Sequence, residues 1–192
     1  MPFSTHLLNS FTLLFPVGER FFIKSLQNVV KQIENEDLQK EINWFIKQEV
    51  NHAKEHEKYF QNLNHQGYNL TVIIITTNLL EKLITKNCSK EFKLSLTAAF
   101  EHMTALLAQL ALEKNFFSEA ESPMQELFEW HAFEEMEHRH VAFNVLREIN
   151  SNDFLKINGM IVAFLIMITL SGTFTTYFLA KDKKLLDKAV WN

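Results

Sequence analysis

Titratable residues occupy helix positions where the flanking sequence predicts core residues. Between His131 and His140, six of ten consecutive residues are histidine or glutamate. Apolar residues recur with helical spacing on both sides, and their stripe projects through His131, Glu134 or Glu135, and His138. Buried carboxylates and imidazoles are costly unless they are paired or bind a metal ion. A solvated surface helix is therefore the weaker interpretation of this stretch.

Composition and periodicity predict an all-α fold. Only 4 glycines and 3 prolines in 192 residues argue against a turn-rich all-β fold. After a turn at residues 16–18, helices are predicted at 19–33, 35–67, 70–84, 89–117, 124–149 and 160–180. The 70–84 segment begins with β-branched residues and also fits a strand, which would lack a partner. We predict a ferritin-like antiparallel four-helix bundle with an additional apolar C-terminal helix.

Four of these helices place glutamate on the apolar stripe, and two of them carry a Glu-x-x-His pair. Residues three apart on a helix project from one face, so each pair can reach one point. The predicted metal ligands are Glu19, Glu49, His52, Glu101, Glu135 and His138. This set is typical of bundles that hold two carboxylate-bridged ions.

The ligand types predict the cofactor. Four carboxylates roughly neutralise two divalent transition metal ions, so we expect two such ions in the bundle. Oxygen ligands together with imidazole favour iron or manganese over copper. Iron is the first expectation, with manganese or zinc as alternatives.

Three further residues lie near the proposed ligands. His56 is one turn beyond His52, and His131 is one turn before Glu135. Each is an additional ligand or an orienting partner, since ligating groups usually have such partners. Glu134 could replace or supplement Glu135, and spacing does not decide between these two residues.

Two alternatives remain open. His52-x-x-Glu55-His56 fits the inverted zinc-protease pattern, in which one zinc ion would use Glu55 as the base. That interpretation leaves Glu49, Glu101 and the second Glu-x-x-His pair without a role. The other alternative is a non-catalytic protein that binds metal or acts as a membrane-associated scaffold.

Four phrases in order resemble a known bacterial family, the predicted metal-dependent hydrolases. They are FPVGERFF at 15–22, FIKQEVNHAKEH at 45–56, AAFEHMTA at 98–105 and WHAFEEMEHRHVAFNV at 130–145. The similarity spans roughly residues 9–150, and Asn144 stands where many relatives have Asp. The resemblance implies functional positions at Glu19, Glu49, His52, His56, Glu101, His131, Glu134, Glu135 and His138. It also implies a metal-dependent hydrolase. The ligand set instead resembles that of ferritin-like oxidases and oxygenases, so dioxygen-dependent oxidation and metal-activated hydrolysis are both expected chemistries.

The C-terminal part of the chain differs in character. Residues 160–180 contain no charge, are long enough to cross a bilayer, and are followed by Lys-Asp-Lys-Lys. We predict a metal-binding bundle at 1–152, then an apolar helix that could associate with a membrane and a short basic tail at 153–192. The N-terminus lacks the features of a signal peptide, so we expect a cytoplasmic or cytoplasmic membrane-associated protein.

The expected partners follow from charge and from the apolar helix. A net charge of −4 without a long basic run argues against nucleic-acid binding. The apolar helix suits a small-molecule substrate with acyl or lipid-like character, and it could contact a membrane. A homodimer is a further prediction.

Overall fold

Helices form almost all of the chain, as the scarcity of glycine and proline predicts. The computed structural model describes residues 2–118 and 120–191, except for the side chains of Ala189 and Trp191, and no strand occurs in these residues. The helices are α1 (Pro2–Gln27), α2 (Glu36–His65), α3 (Thr71–Asn87), α4 (Lys90–Glu113), α5 (Ser122–His138), α6 (Val141–Ile149), α7 (Asp153–Lys181) and α8 (Lys188–Trp191), with a 3-10 helix at Val30–Gln32. The all-α prediction is confirmed.

Side-chain caps fix the start of three long helices. Asn35 accepts hydrogen bonds from two backbone N–H groups at the start of α2. Ser89 and Asn152 cap α4 and α7 in the same way. Each cap satisfies a backbone donor that has no partner inside the helix. Local sequence therefore determines where these helices begin.

The direction of each helix follows from which of its residues lie at each end of the hydrophobic core. One end of the core is formed by Leu26 of α1, Ile42 of α2, Leu94 of α4, Val145 of α6 and Ala163 of α7. The opposite end contains Leu13 of α1, Leu63 of α2 and Phe178 of α7. Thus α1 runs towards the first end, whereas α2 and α7 run away from it. In the bundle of α1, α2, α4 and α5–α6, neighbouring helices are antiparallel.

The helices form three layers, which place α1 and α4 in the middle. In the bundle, α1 contacts α2, and α2 contacts α5 and α6. These last two helices contact α4, which in turn contacts α1. On the outer side, α7 packs against both α1 and α4, and α3 packs against α1. The middle layer is therefore covered on both faces.

The predicted turn at residues 16–18 is wrong, because Pro16 lies inside α1. A proline within a helix removes one backbone hydrogen bond at a cost of about 3 kcal/mol. The segment before Pro16 also contacts distant helices. For example, the Ser10 hydroxyl lies 3.0 Å from that of Thr175 on α7, and both residues are buried.

The predicted helix at 124–149 is interrupted once. It begins at Ser122, but α5 ends at His138 and α6 begins at Val141. Arg139 and His140 have ψ angles of −21° and −17°, closer to 3-10 than to α-helical geometry. The interruption is therefore a local tightening of the helix, which no proline or glycine signals.

Two other helix predictions concern α3 and α4. The 70–84 segment is helical rather than extended, as favoured. However, α4 ends at Glu113, short of the predicted end at 117. Asn115 has a φ of 51°, in the left-handed region that often ends a helix and that Asn tolerates better than most residues.

The predicted apolar C-terminal helix is α7. Among the described residues, α7 is the helix long and apolar enough to cross a membrane, with a mean hydropathy of 2.0. Buried core helices have a similar composition. In α7, however, only 17% of the apolar 18-residue stretch that gives this hydropathy is buried. One face packs on α1 and α4 through Ala163, Phe174 and Phe178. The division into domains at 152/153 stays a prediction.

A glycine sets the close approach of α7 to α4. A Cβ atom added at Gly159 would lie 2.4 Å from the Oγ atom of Ser95 and 2.9 Å from its backbone oxygen. Gly172, further along the same helix, has nothing within 4 Å of its added Cβ. The two glycines therefore differ in packing although both lie in the interior of α7.

We expect Gly159→Ala and Gly172→Ala to have opposite effects on stability. The first should lower the midpoint of thermal unfolding, because the clash involves backbone and cannot be relieved by a rotamer change. The second should raise the free energy of unfolding by up to about 1 kcal/mol, since alanine favours helix. Thermal and denaturant unfolding measure both. Equal effects of the two substitutions would contradict the close packing at Gly159.

Candidate metal centre

The predicted site residues converge between four helices. Glu19 comes from α1, Glu49 and His52 from α2, Glu101 from α4, and Glu135 and His138 from α5. All six are buried, and Glu49, His52 and Glu101 have no solvent-exposed surface. The sequence predicts this meeting because each residue replaces a core residue on its helix.

The two Glu-x-x-His pairs face each other. One potential ligand atom from each of Glu49, His52, Glu135 and His138 lies within 4.8 Å of the others. His52 Nδ1 is 3.5 Å from Glu49 Oε1 and 3.8 Å from Glu135 Oε1. His138 Nε2 is 3.3 Å from Glu49 Oε1. The separations are of the size that a bound ion would span.

The remaining glutamates flank this group. Glu101 Oε2 lies 3.0 Å from His138 Nδ1. On the other side, Glu19 groups with His52 and His131 as a second potential metal-binding set. Glu19 Oε1 is 3.9 Å from His131 Nε2. The six residues thus surround an elongated space rather than one point.

The structure distinguishes Glu134 from Glu135, which helical spacing alone could not do. Glu135 is buried and faces the cluster, whereas the Glu134 side chain is 24% exposed at its edge. Glu134 Oε2 lies 2.9 Å from His52 Nε2, and its other oxygen accepts a hydrogen bond from the Trp130 indole. A carboxylate on the outer nitrogen of a histidine orients the ring and leaves the inner nitrogen free to bind a metal ion.

His131 and His56 extend the cluster towards the far end of the bundle. His131 Nε2 lies 2.9 Å from Glu135 Oε1, and its Nδ1 lies 2.7 Å from His56 Nε2. The Phe15 ring packs against both imidazoles, with centroid distances of 4.5 and 4.8 Å. His131 therefore borders the carboxylates directly, whereas His56 reaches them through His131.

Thr104 is a site residue that the sequence reasoning missed. Its hydroxyl donates a short hydrogen bond to Glu135 Oε2. Thr104 is one helical turn beyond Glu101 and lies inside the AAFEHMTA phrase. Its place in that phrase could have identified Thr104 as a site residue. Helical spacing alone could not, because many threonines lie one turn from a buried glutamate.

Many polar atoms of the cluster have no hydrogen-bond partner. They include Glu19 Oε1 and Oε2, Glu49 Oε1 and Oε2, Glu101 Oε1, His52 Nδ1 and His138 Nε2. Buried polar atoms are nearly always satisfied, and an unpaired buried charge is costly. Inward-facing carboxylate oxygens and imidazole nitrogens are also the donors that divalent transition metal ions use. The residues present therefore fit a metal centre.

Burial and mutual repulsion raise the pKa of three of the four buried carboxyl groups. Burial, followed by neighbouring carboxylates, raises the pKa of Glu19 and of Glu101 well above the usual value. Burial and the Glu135 charge raise the pKa of Glu49 to about 8. Without a cation, Glu49 is therefore largely protonated at neutral pH, and the pKa shifts of Glu19 and Glu101 act in the same direction. Metal binding must displace those protons, so affinity for metal should increase with pH.

Glu135 and the histidines shift in the direction that suits metal binding. Burial disfavours the ionised form of Glu135, but the hydrogen bond from His131 and the other nearby imidazoles outweigh it and lower the pKa to about 2. Burial lowers the pKa of His52, His131 and His56. Neutral imidazole is the form that binds metal ions.

The geometry does not support the inverted zinc-protease pattern. Glu55, the required base, has a side chain that is 42% exposed and forms an ion pair with Lys58. A general base must lie within hydrogen-bond reach of the proton that it removes. Glu55 instead points away from the cluster that contains His52 and His56.

Comparisons with known proteins agree with the sequence motifs. The search of curated proteins finds no match, and the search of solved structures finds none either. A family model described as "predicted metal-dependent hydrolase" matches residues 1–192, the whole chain. The buried glutamate and histidine cluster could hold a metal ion, which agrees with that description. The chain therefore belongs to the predicted metal-dependent hydrolase family.

Proposed function

We propose that the protein is an enzyme with a dinuclear metal centre in a ferritin-like bundle. The observation that carries the proposal is the elongated cluster of buried carboxylates and imidazoles with unpaired inward-facing atoms. Four carboxylates from Glu19, Glu49, Glu101 and Glu135 balance the charge of two divalent ions. With one ion, the remaining carboxyl groups would have to keep protons, because excess negative charge in the core is costly.

Each residue has a distinct role in this proposal. Glu49 and Glu135, which lie near the centre of the cluster, would supply carboxylate ligands to the metal ions. His52 with Glu19 and His138 with Glu101 would complete the ligand set. The grouping of Glu19 with His52 supports the first pair, and the unpaired Glu101 Oε1 and His138 Nε2 support the second. Iron is the expected metal, and manganese is the alternative.

Surrounding residues hold the ligands in place. Glu134 fixes the ring of His52, and Thr104 holds one oxygen of Glu135. His131 and His56 share a hydrogen bond that leads from Glu135 into the bundle. Such partners restrict ligand motion and commonly change metal affinity by about 10- to 100-fold when removed.

The cavity walls favour oxidation of an apolar substrate. Two bound redox-active ions would allow the reduction of dioxygen. Two bound redox-silent ions would instead act as Lewis acids and activate a water molecule as the nucleophile. Two cavities reach Glu135 and Thr104, and their linings are predominantly apolar. Hydroxylation of a C–H bond consumes one dioxygen, two electrons and two protons and yields water. The electrons would come from an electron-carrier protein.

Hydrolysis is the second candidate, and the family description favours it. It would require a polar scissile group to reach the metal centre through the same apolar cavities. No serine or cysteine lies among the residues that line these cavities, so the nucleophile would be water. Iron would not be essential for this chemistry. A storage or scaffold protein would also hold metal but would turn over no substrate.

We expect Glu49→Gln and Glu55→Gln to separate the dinuclear proposal from the zinc-protease alternative. Glu49→Gln should reduce bound iron from about two ions per chain to one or fewer, because an amide is a poor bridging ligand. It should also abolish fast oxidation of the ferrous protein by dioxygen. Glu55→Gln should preserve both properties.

Elemental analysis after anaerobic iron loading and stopped-flow absorbance are the measurements for this pair. Circular dichroism serves as the folding control for both variants. Metal loss in Glu55→Gln with retention in Glu49→Gln would reverse the assignment. Bound metal in both variants without any oxidation or hydrolysis would support the non-catalytic alternative.

We further infer that α7 lies on a membrane surface rather than across it. Its exposed face carries Phe164, Leu165 and Ile168, and α3 in the same layer exposes Val72 and Ile75. The opposite face of α7 packs along α1 and α4. A helix with one buried and one lipid-facing side suits the membrane interface. The alternative is that this face contacts a second copy of the chain in a homodimer.

Vesicle flotation tests this surface with a matched pair of exposed apolar residues. Leu165→Glu on α7 should abolish flotation with phosphatidylglycerol vesicles, because a charge would enter the apolar interface. Trp44→Glu on α2, in the opposite layer, should leave flotation unchanged, although Trp44 is equally exposed. Absence of flotation in the unaltered protein, or a stable dimer that Leu165→Glu dissociates, would contradict membrane docking.

A further inference from the structure

The larger of the two cavities that reach Glu135 has a definite direction. It has a volume of about 460 Å³ and lies between α1, α4 and α5. Its inner end is at His131 and Glu135, beside the proposed metal centre. Its exposed rim includes Lys114, just beyond the last residue of α4, together with the exposed Leu110 and Phe116. The volume is within the range of about 300–1,000 Å³ that small-molecule sites occupy.

The length of the cavity follows from α4. Thr104 lines the inner end and Lys114 the outer end, so ten residues of α4 run alongside the space. At 1.5 Å per residue, they span about 15 Å. An extended alkyl chain of about 12 carbons has a similar length, given C–C bonds of about 1.5 Å.

The chemistry of the wall changes along this length. Between its ends the cavity is lined by apolar side chains, including Phe15, Ala108 and Phe128. Lys114 supplies the only ammonium group among the lining residues, and it is exposed. An apolar interior with a single cation at the rim matches a molecule with one alkyl chain and one anionic head.

We propose that this cavity binds a medium-chain fatty acid, with its carboxylate at Lys114 and its alkyl end towards Glu135. The orientation follows from the wall, because Lys114 at the exposed rim can pair with the carboxylate whereas the apolar side chains further in suit the alkyl chain. Burial of the alkyl chain supplies about 0.8 kcal/mol per methylene group, so the cavity rather than the lysine provides most of the affinity.

This inference deepens the proposed function and gives it a substrate class. The metal centre would meet the carbons furthest from the carboxylate, which are the least reactive part of the molecule. Binding itself depends on the cavity and on Lys114, and not on metal. The two proposals can therefore fail separately.

Binding of dodecanoate and dodecanol to the full chain tests the inference. Displacement of a fluorescent dansyl-undecanoic acid reports affinity, with and without bound iron. Lys114→Glu should weaken dodecanoate binding about fivefold or more, since an attractive charge becomes repulsive at an exposed rim. Its effect on dodecanol should stay within about twofold.

Two further variants make the test specific. Lys86→Glu on α3 makes the same charge change away from the cavity and should leave both affinities unaltered. Ala108→Phe should fill the middle of the cavity and block both ligands while retaining iron. If Ala108→Phe fails the circular dichroism control, the Lys114 and Lys86 pair still decides the orientation.

The outcomes distinguish this inference from the proposed function. Dodecanoate binding by a protein that holds no metal would retain the cavity assignment and remove the dinuclear proposal. Two bound ions without measurable dodecanoate binding would overturn the cavity assignment alone. Equal loss of affinity in Lys114→Glu and Lys86→Glu would overturn the proposed orientation.

Discussion

The structure depends on how a low-dielectric core accommodates several carboxyl groups. Glu19, Glu49, Glu101 and Glu135 are all buried, and the first three have raised pKa values because burial and mutual repulsion oppose ionisation. No lysine or arginine forms an ion pair with these four among the described residues. Such a core holds either protons or cations. Bound divalent ions would supply the missing positive charge and would join the four helices at their centre.

Most of the remaining architecture supports that centre. On α1 and α2, Glu19 and Glu49 lie between residues of the two opposite end cores. The α3 and α7 helices cover the outer side of α1 and α4, while α7 leaves an apolar face exposed. The same covering creates apolar space next to Glu135. Charge at the centre and apolar surroundings are therefore parts of one arrangement.

Helical periodicity could predict the six central residues because each one replaces a core residue on its own stripe. It could not distinguish Glu134 from Glu135, since adjacent residues differ by only about 100° around the helix and both lie near the stripe. The path of α1 through Pro16 depended on contacts with distant helices such as α7. The Thr104 hydrogen bond and the cavities arise only when several helices meet, so no local pattern encodes them.

The central claim is that two ions occupy the elongated cluster, and anomalous X-ray diffraction from iron-loaded crystals tests it most directly. Data on both sides of the iron absorption edge should show two peaks about 3.5–4 Å apart. Both peaks should lie between Glu49 and Glu135, with His52 and His138 as the nearest imidazoles. A single peak bounded by His52 and His56, or none in this cluster, would contradict the dinuclear account.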